Sequence, residues 1–495
     1  MGRQFAEDCP GTPRCTNLLP LRGRCSHRGS MPFWFSISGM TASPNKILWV
    51  LFFGVLMGAL DIAIVGPALP ALRSEFAIDE RAVAWVFTIY VLFNLVGTPI
   101  NAKLSDRLGR RAIYTLDVAL FAIGSLLVAQ AQSFTMLLTG RAVQAFGAGG
   151  IFPVASAVIG DTMPPEKRGR ALGLIGAVFG IAFLLGPLLA AQLLNFGWRW
   201  LFLINLPIAA LLIVASLRWL PGRHPGTPPP FDWQGAILIS GMLACLTLGL
   251  SNLNSEHLLA SLRDPSVWAW LLGAAALLLA ARSVENRAAD PVIRPRWFAS
   301  RQIKLIALFA AGAGLGETGM VFLPDLAVAG LGITPQASSY LLLSVVVALL
   351  FGSPTFGRLL DRIGPKPIIM FALASLLAGA LWIGYSPVSR TNIIIAGALV
   401  GLGLSGLLGA PLRYLLIEEV PAAERAAAQG ILTIFTSIGQ LLSGALIGAV
   451  AASTGGGARG YQRAFLWVAV PVAIMFAISW LLQNKRSTSA TQSAD

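Results

Sequence analysis

The sequence predicts an all-α integral membrane protein: two pseudo-symmetric six-helix bundles with two extra central transmembrane helices, about 14 spans in all. Three observations predict it. The 495-residue chain is 56% hydrophobic and 12% charged, with mean hydropathy +0.73, which leaves too little polar surface for a soluble protein. Its apolar runs reach the roughly 20 residues a helix needs to cross ~30 Å of hydrocarbon, and at that length only a helix satisfies its own backbone in lipid. One tract also occurs twice. Gly97, Lys103, Asp106, Arg107, Gly109 and Arg111 return as Gly352, Arg358, Asp361, Arg362, Gly364 and Lys366, each time between two long apolar runs.

Taken in order, the spans begin near Lys46, Ala82, Arg111, Phe134, Arg170, Trp198, Trp233, Ser266, Ile303, Gln336, Lys366, Asn392, Arg425 and Arg463. Their direction follows from charge. Net charge is +14, which in a soluble chain would suggest nucleic acid as a partner. The distribution argues against that. With both ends inside, about 28 of the 36 Lys and Arg residues fall on cytoplasmic segments and about 7 on external ones. An even number of spans keeps this bias in both halves, and 12 is the competing count.

Domain organisation follows from the repeat. Residues 1–45 hold Cys9, Cys15 and Cys25 and no periodic apolar pattern. They read as a disordered tail, or as sequence ahead of a true start at Met31 or Met40. The spacing of these cysteines and His27 fits no common zinc site. Residues 46–220 form the first bundle. Residues 221–302 contain a stiff Pro-rich linker and the two additional spans, which have no counterpart in the repeat. Residues 303–484 form the second bundle, and 485–495 a cytoplasmic tail. Gly147, Gly150 and Arg168 map onto Gly403, Gly406 and Arg425. Small residues at such positions let helices approach closely in lipid.

The arrangement resembles the major facilitator superfamily and, within it, the 14-span drug:proton antiporter branch. The residues carrying the resemblance run from Lys46 to about Asn484. The Gly97–Arg111 tract is similar to the superfamily's signature between spans two and three. Leu60-Asp61 through Pro70 resembles the first-span signature of the branch, with Ala63 and Gly66 where that signature usually has Thr and Asn. Arg141, Gln144 and Gly147 resemble the fourth-span Arg motif. Gly186 and Pro187 stand where the antiporter motif of span five would be, followed by Ala190-Ala191 rather than Gly-Gly. Trp198, Arg199, Trp200, Phe202, Asn205 and Pro207 are similar to the start of span six in the branch. The resemblance implies a secondary transporter of the cell membrane that works by alternating access, with both termini cytoplasmic. Its implied partners are the lipid bilayer, a small-molecule substrate and protons. Accessory efflux partners in the envelope are left open.

The gate implied by the resemblance comprises Lys103, Asp106, Arg107, Gly109, Arg110 and Asp161, with Arg358, Asp361, Arg362 and Gly364 in the second copy. Gly109 can take a positive-φ turn that other residues resist. An acid near a helix amino end is favoured by the dipole, and the neighbouring basic groups can pair with Asp161 to hold the inner side shut. The competing reading is that these charges only fix topology.

Charges inside spans are expensive and normally face a cavity or a partner. Asp61 and Arg141 can meet in the outer half, as an ion pair or as part of a cavity. Tyr90, Asn94, Gln144 and Gln192 are further cavity candidates. Asp117 and Arg413 are placed near the cytoplasmic ends of their spans, where side chains can snorkel. The repeat maps Asp61 onto Glu317, so both acids are expected at equal depth on cavity-lining helices, with one or both carrying a coupling proton. Asp325 is placed at an external helix end.

No Gly-x4-Gly-Lys-Ser/Thr phosphate loop is present, and His27, His224 and His257 lie in tail or loops. The expectation is therefore no cofactor, no metal site and no enzyme chemistry, with an ion gradient as the driver. The leading function is proton-driven export of small hydrophobic or cationic compounds. The alternatives are a proton-coupled transporter of a specific metabolite or lipid, and a non-transporting receptor on the same fold.

Overall fold

The computed structural model describes residues 43–484 apart from 79, 223–230, 252–263, 289, 334–336, 339 and 454–456. The cysteine-rich tail, linker residues 223–230 with His224, His257, Gln336 and the C-terminal tail lie outside the described residues. Within them, 14 helices are long and apolar enough to cross a membrane. The first six are α1 (Pro44–Phe76), α2 (Glu80–Leu108), α3 (Arg110–Ala129), α4 (Phe134–Thr162), α5 (Pro165–Leu194) and α6 (Trp200–Trp219). The extra pair is α7 (Trp233–Ser251) and α8 (Pro265–Glu285). The last six are α9 (Arg301–Leu331), α10 (Leu343–Ile363), α11 (Pro365–Tyr385), α12 (Arg390–Glu419), α13 (Arg425–Ser453) and α14 (Gly457–Ser479).

Helix starts match the expected ones closely. The larger shifts are at α10, which begins at Leu343 rather than near Gln336, at α14, which begins at Gly457 rather than near Arg463, and at α5. α5 begins at Pro165 rather than near Arg170, because proline suits the first helical turn and lacks the N–H that would be unsatisfied there. Two helices are interrupted. α6 turns at Ile204, between Trp200–Leu203 and Asn205–Trp219. α12 breaks at Leu408 and Gly409, between Arg390–Leu407 and Ala410–Glu419.

The sequence repeat is a repeat of packing. In the first half an ideal Cβ on Gly147 would sit 2.4 Å from the Asp117 carbonyl oxygen; in the second, one on Gly403 would sit 2.8 Å from that of Ala372. Both contacts seat the fourth helix of a half on its third, at backbone distance. The amino caps repeat too: Ser133 accepts from Met136 N–H and Ser389 from Asn392 N–H. So do the in-helix prolines Pro99 and Pro354.

The halves meet along two related seams. Gly169, Gly173, Gly176 and Gly180 of α5 run against α10 and the α12 break; an ideal Cβ on Gly173 would lie 2.7 Å from the Ser353 carbonyl oxygen. The related seam joins α13 to α2, where Gly430 faces Thr98 and Ala102. α7 covers that second seam, with Ile239 and Leu243 clustered against Leu95 of α2 and Ile434 of α13. α8 is peripheral, with 17% of its apolar window buried. The loops after α2, α4, α10 and α12 gather at one end, the basic end.

Candidate functional site

Two regions carry the polar chemistry: a clamp at the basic end and a cavity between the halves.

The clamp begins where α2 stops. Gly109 has φ 102° and Gly364 has φ 84°, so both copies of the loop turn at a glycine in the positive-φ region. This places Asp106 across the seam, where its carboxylate accepts the main-chain N–H groups of Ala426 (3.1 Å) and Ala427 (2.8 Å). These belong to the first turn of α13, whose N–H groups lack helical partners and carry the positive end of the dipole. Arg110 pairs with the same Asp106. Arg110 also reaches Asp161 (3.0 Å) and donates to the Ala422 carbonyl (3.1 Å).

The second copy performs the same operation in reverse. Asp361 accepts from Gly169 N–H (3.0 Å) and Arg170 N–H (3.1 Å) of α5. Pro365 stands where Arg110 stands in the first copy, so this cap has no guanidinium. The flanking ion pairs repeat as well: Arg425 with Asp161 (2.8 Å) and Arg168 with Glu418 (2.6 Å).

The remaining gate candidates divide. Lys103 pairs with Asp290, and Arg294 bridges Asp290 to Glu424 at the entry to α13. Trp297 Nε1 donates to the same Glu424 (3.0 Å). The sequence carries no signal for this link, because Asp290 and Glu424 lie in two different loops far apart along the chain. Arg107 stacks over Phe231, 5.7 Å from its ring centre. Arg358 and Arg362 are exposed and form no ion pair among the described residues.

Asp61 and Arg141 do meet, both fully buried, at 2.6 Å. The pair sits in a network of side chains, although Arg141 Nε and Nη2 have no hydrogen-bond partner among the described residues. Gln144 accepts from Arg141 (2.6 Å) and donates to Asp61 (2.8 Å) and to Ser125 Oγ (2.8 Å). Asn205 donates to Asp61 and Ser125, each at 3.3 Å. Tyr90 lies 4.2 Å beneath the guanidinium. Ser125 gives no sequence signal, whereas Asn205 lies in the Trp198–Pro207 motif that turns it inward at the α6 break. Gly186 packs on Ala63, with an ideal Cβ 2.5 Å from the Ala63 Cβ. The Pro187 side chain lies outside the described ones.

Between the halves is a cavity of about 250 Å³. Its first-half wall includes Ile62, Tyr90, Asn94, Arg141 and Phe152, and its second-half wall includes Glu317, Arg413 and Gln440. Two expectations change here. Asp61 and Gln144 do not line this cavity: Asp61 lies behind Arg141, held by the first bundle, whereas its repeat partner Glu317 is on the wall beside Gln440, which shares a hydrogen bond with it. Arg413 and Asp117 do not snorkel. Arg413 is 7% exposed and on the cavity wall. Asp117 is fully buried, and neither carboxyl oxygen has a hydrogen-bond partner among the described residues.

The wall is thus mostly apolar, with one acid and one arginine from the second half and a neutralised arginine from the first. The model of the Major Facilitator Superfamily matches residues 51–286 and 305–495. The chain belongs to the Major Facilitator Superfamily. As a superfamily member it is a multi-pass membrane transporter acting on small molecules, not an enzyme. It is 34% identical over 400 residues to the uncharacterized MFS-type transporter YfiU of Bacillus subtilis (strain 168), covering 79% of this chain and 76% of that one. It is 27% identical over 420 residues to the multidrug transporter protein MdtP of the same bacterium, covering 84% and 76%. The multidrug resistance protein Stp of Mycobacterium tuberculosis (strain CDC 1551 / Oshkosh) is 29% identical over 407 residues, covering 81% and 74%. Among solved structures the fold is similar to that of the human organic anion transporter MFSD10, with TM-score 0.66 and 16% identity over 88% of this chain and 99% of that one. It is also similar to that of the proton:xylose symporter XylE, with TM-score 0.62 and 15% identity over 89% and 96%.

Proposed function

We propose that the chain is a proton-coupled exporter of small hydrophobic compounds. It sits in the cell membrane with both termini and the basic end in the cytoplasm. The observation that carries this reading is Glu317, an acid on the wall of a cavity shared by the two halves, while the halves are clamped together at the basic end. A carboxyl at such a place can exchange a proton with whatever enters the cavity, and opening the clamp would change which side it faces. Asp61 serves a different role, holding Arg141 in place within the first bundle. Relatives named as a multidrug transporter and a multidrug resistance protein support drug-like compounds as the substrate class.

The test is uptake of a hydrophobic fluorescent dye with no group that titrates in the range used, into proteoliposomes containing the purified protein, driven by an imposed pH gradient. Glu317→Gln should remove gradient-driven accumulation and leave downhill exchange. Gradient-driven uptake by Glu317→Gln at the wild-type rate would refute the coupling role.

A further inference from the structure

Arg413 has no assigned role in the clamp or in proton coupling, and its surroundings are unusual. It is 7% exposed and lines the cavity. It forms no ion pair among the described residues, and its Nε has no hydrogen-bond partner. Its Nη1 touches only neutral acceptors, Ser156 Oγ at 3.3 Å and Gln429 Oε1 at 3.2 Å. The guanidinium lies 3.6 Å from the ring centre of Phe152. The other cavity arginine, Arg141, is neutralised by Asp61. A buried guanidinium without a counter-charge is costly. The repeat does not require it either, since the position related to Arg413 is Ser156.

A second observation points the same way. α12 breaks at Leu408 and Gly409, four residues before Arg413, and restarts at Ala410 without a side-chain cap, with Leu408 and Arg413 both in the cavity wall. The amino end of a broken helix inside a membrane protein is polarised positive and suits an anionic group. Phe87, Phe152 and Phe179 supply an aromatic wall beside it.

We infer that Arg413 and the restart of α12 form an anion-binding subsite, which receives the carboxylate or sulfonate of an otherwise aromatic, hydrophobic substrate. This rests on the cavity proposed above as the substrate site and narrows its substrate class: compounds bearing an acidic group are preferred over their neutralised counterparts.

The test compares tetramethylrhodamine carrying a free carboxylate with its methyl ester, the same fluorophore without the anion. Binding to the purified full chain in detergent is read by fluorescence polarisation. The free acid should bind about tenfold or more tighter than the ester, as expected for one charge-assisted contact. Arg413→Gln should weaken the acid so that it comes to within about twofold of the ester or below it, and should not weaken the ester. Arg413→Lys should keep part of the preference. Equal affinities in the wild type, a preference for the ester, or no binding of the acid would overturn the inference. So would an Arg413→Gln protein that loses acid and ester alike, since that is the behaviour of a strut between halves. If Arg413→Gln does not fold, the wild-type comparison and Arg413→Lys decide. No pH gradient is applied, so failed proton coupling would leave this result intact.

Discussion

Arg425 and Asp161, from opposite halves of the molecule, form an ion pair at 2.8 Å, and the internal repeat returns it as Arg168 and Glu418 at 2.6 Å. The clamp at the basic end is therefore built twice, with donor and acceptor exchanged between halves. Such reciprocity gives each half one cation and one anion at the seam, so neither bundle need bury an unbalanced charge when closed.

This arrangement predicts a charge-reversal rescue. Arg168→Glu should place like charges together and cut transport about tenfold or more. Adding Glu418→Arg should recover most of the activity. Transport rates per folded protein, compared across the two single variants and the double variant, check it.

The two aspartate caps should not be equal. Asp106 is buried, accepts from Ala426 and Ala427 and pairs with Arg110, whereas Asp361 is exposed and has only its two N–H donors. Asp106→Asn should therefore reduce transport by about tenfold, the scale of one charged hydrogen bond, and Asp361→Asn by about twofold. Dye efflux at matched expression measures both.

Glycine contacts separate seam from cavity. An ideal Cβ on Gly173 would sit 2.7 Å from the Ser353 carbonyl oxygen and 2.8 Å from Gly357 Cα, whereas one on Gly58 meets nothing within 4 Å. Gly173→Ala should push the halves apart and lower the detergent melting temperature. Gly58→Ala should be neutral or stabilising by about 0.5–1 kcal/mol, the helix-propensity gain over glycine. Thermal unfolding of the two variants decides it.

Much of this fold is legible in the sequence because membrane spans announce themselves by length and apolarity. The repeat likewise carried Asp106 to Asp361 and Arg168 to Arg425. The site was less legible. Residue counting gives the depth of Asp61 but not the helix face, and one step along the helix, about 100°, separates it from the cavity-lining Ile62. Arg413 does lie near the basic end of α12, but counting along a span gives a position and not a face, and the break at Leu408 and Gly409, just ahead of Pro411, shifts the faces of the segment that carries it. Asp290 and Glu424 became part of the clamp only through the path of the loop between α8 and α9.

The two repeat-related acids should fail in different ways. Asp61→Asn leaves the fully buried Arg141 without its counter-charge and should destabilise the protein by about 3–5 kcal/mol, seen as loss of folded material. Glu317→Gln faces the cavity and should express and melt like the wild type. Size-exclusion profiles and melting curves distinguish these outcomes.

The central claim is that a proton bound at Glu317 is exchanged for substrate. The most direct measurement is proton release from purified protein in weakly buffered detergent solution when a tight-binding hydrophobic substrate is added. The wild type should release protons on binding, with a yield that falls as the starting pH rises and Glu317 is already deprotonated. Glu317→Gln should bind the substrate and release none. Equal proton release from wild type and Glu317→Gln, or binding by the wild type with no release at any pH, would contradict the account.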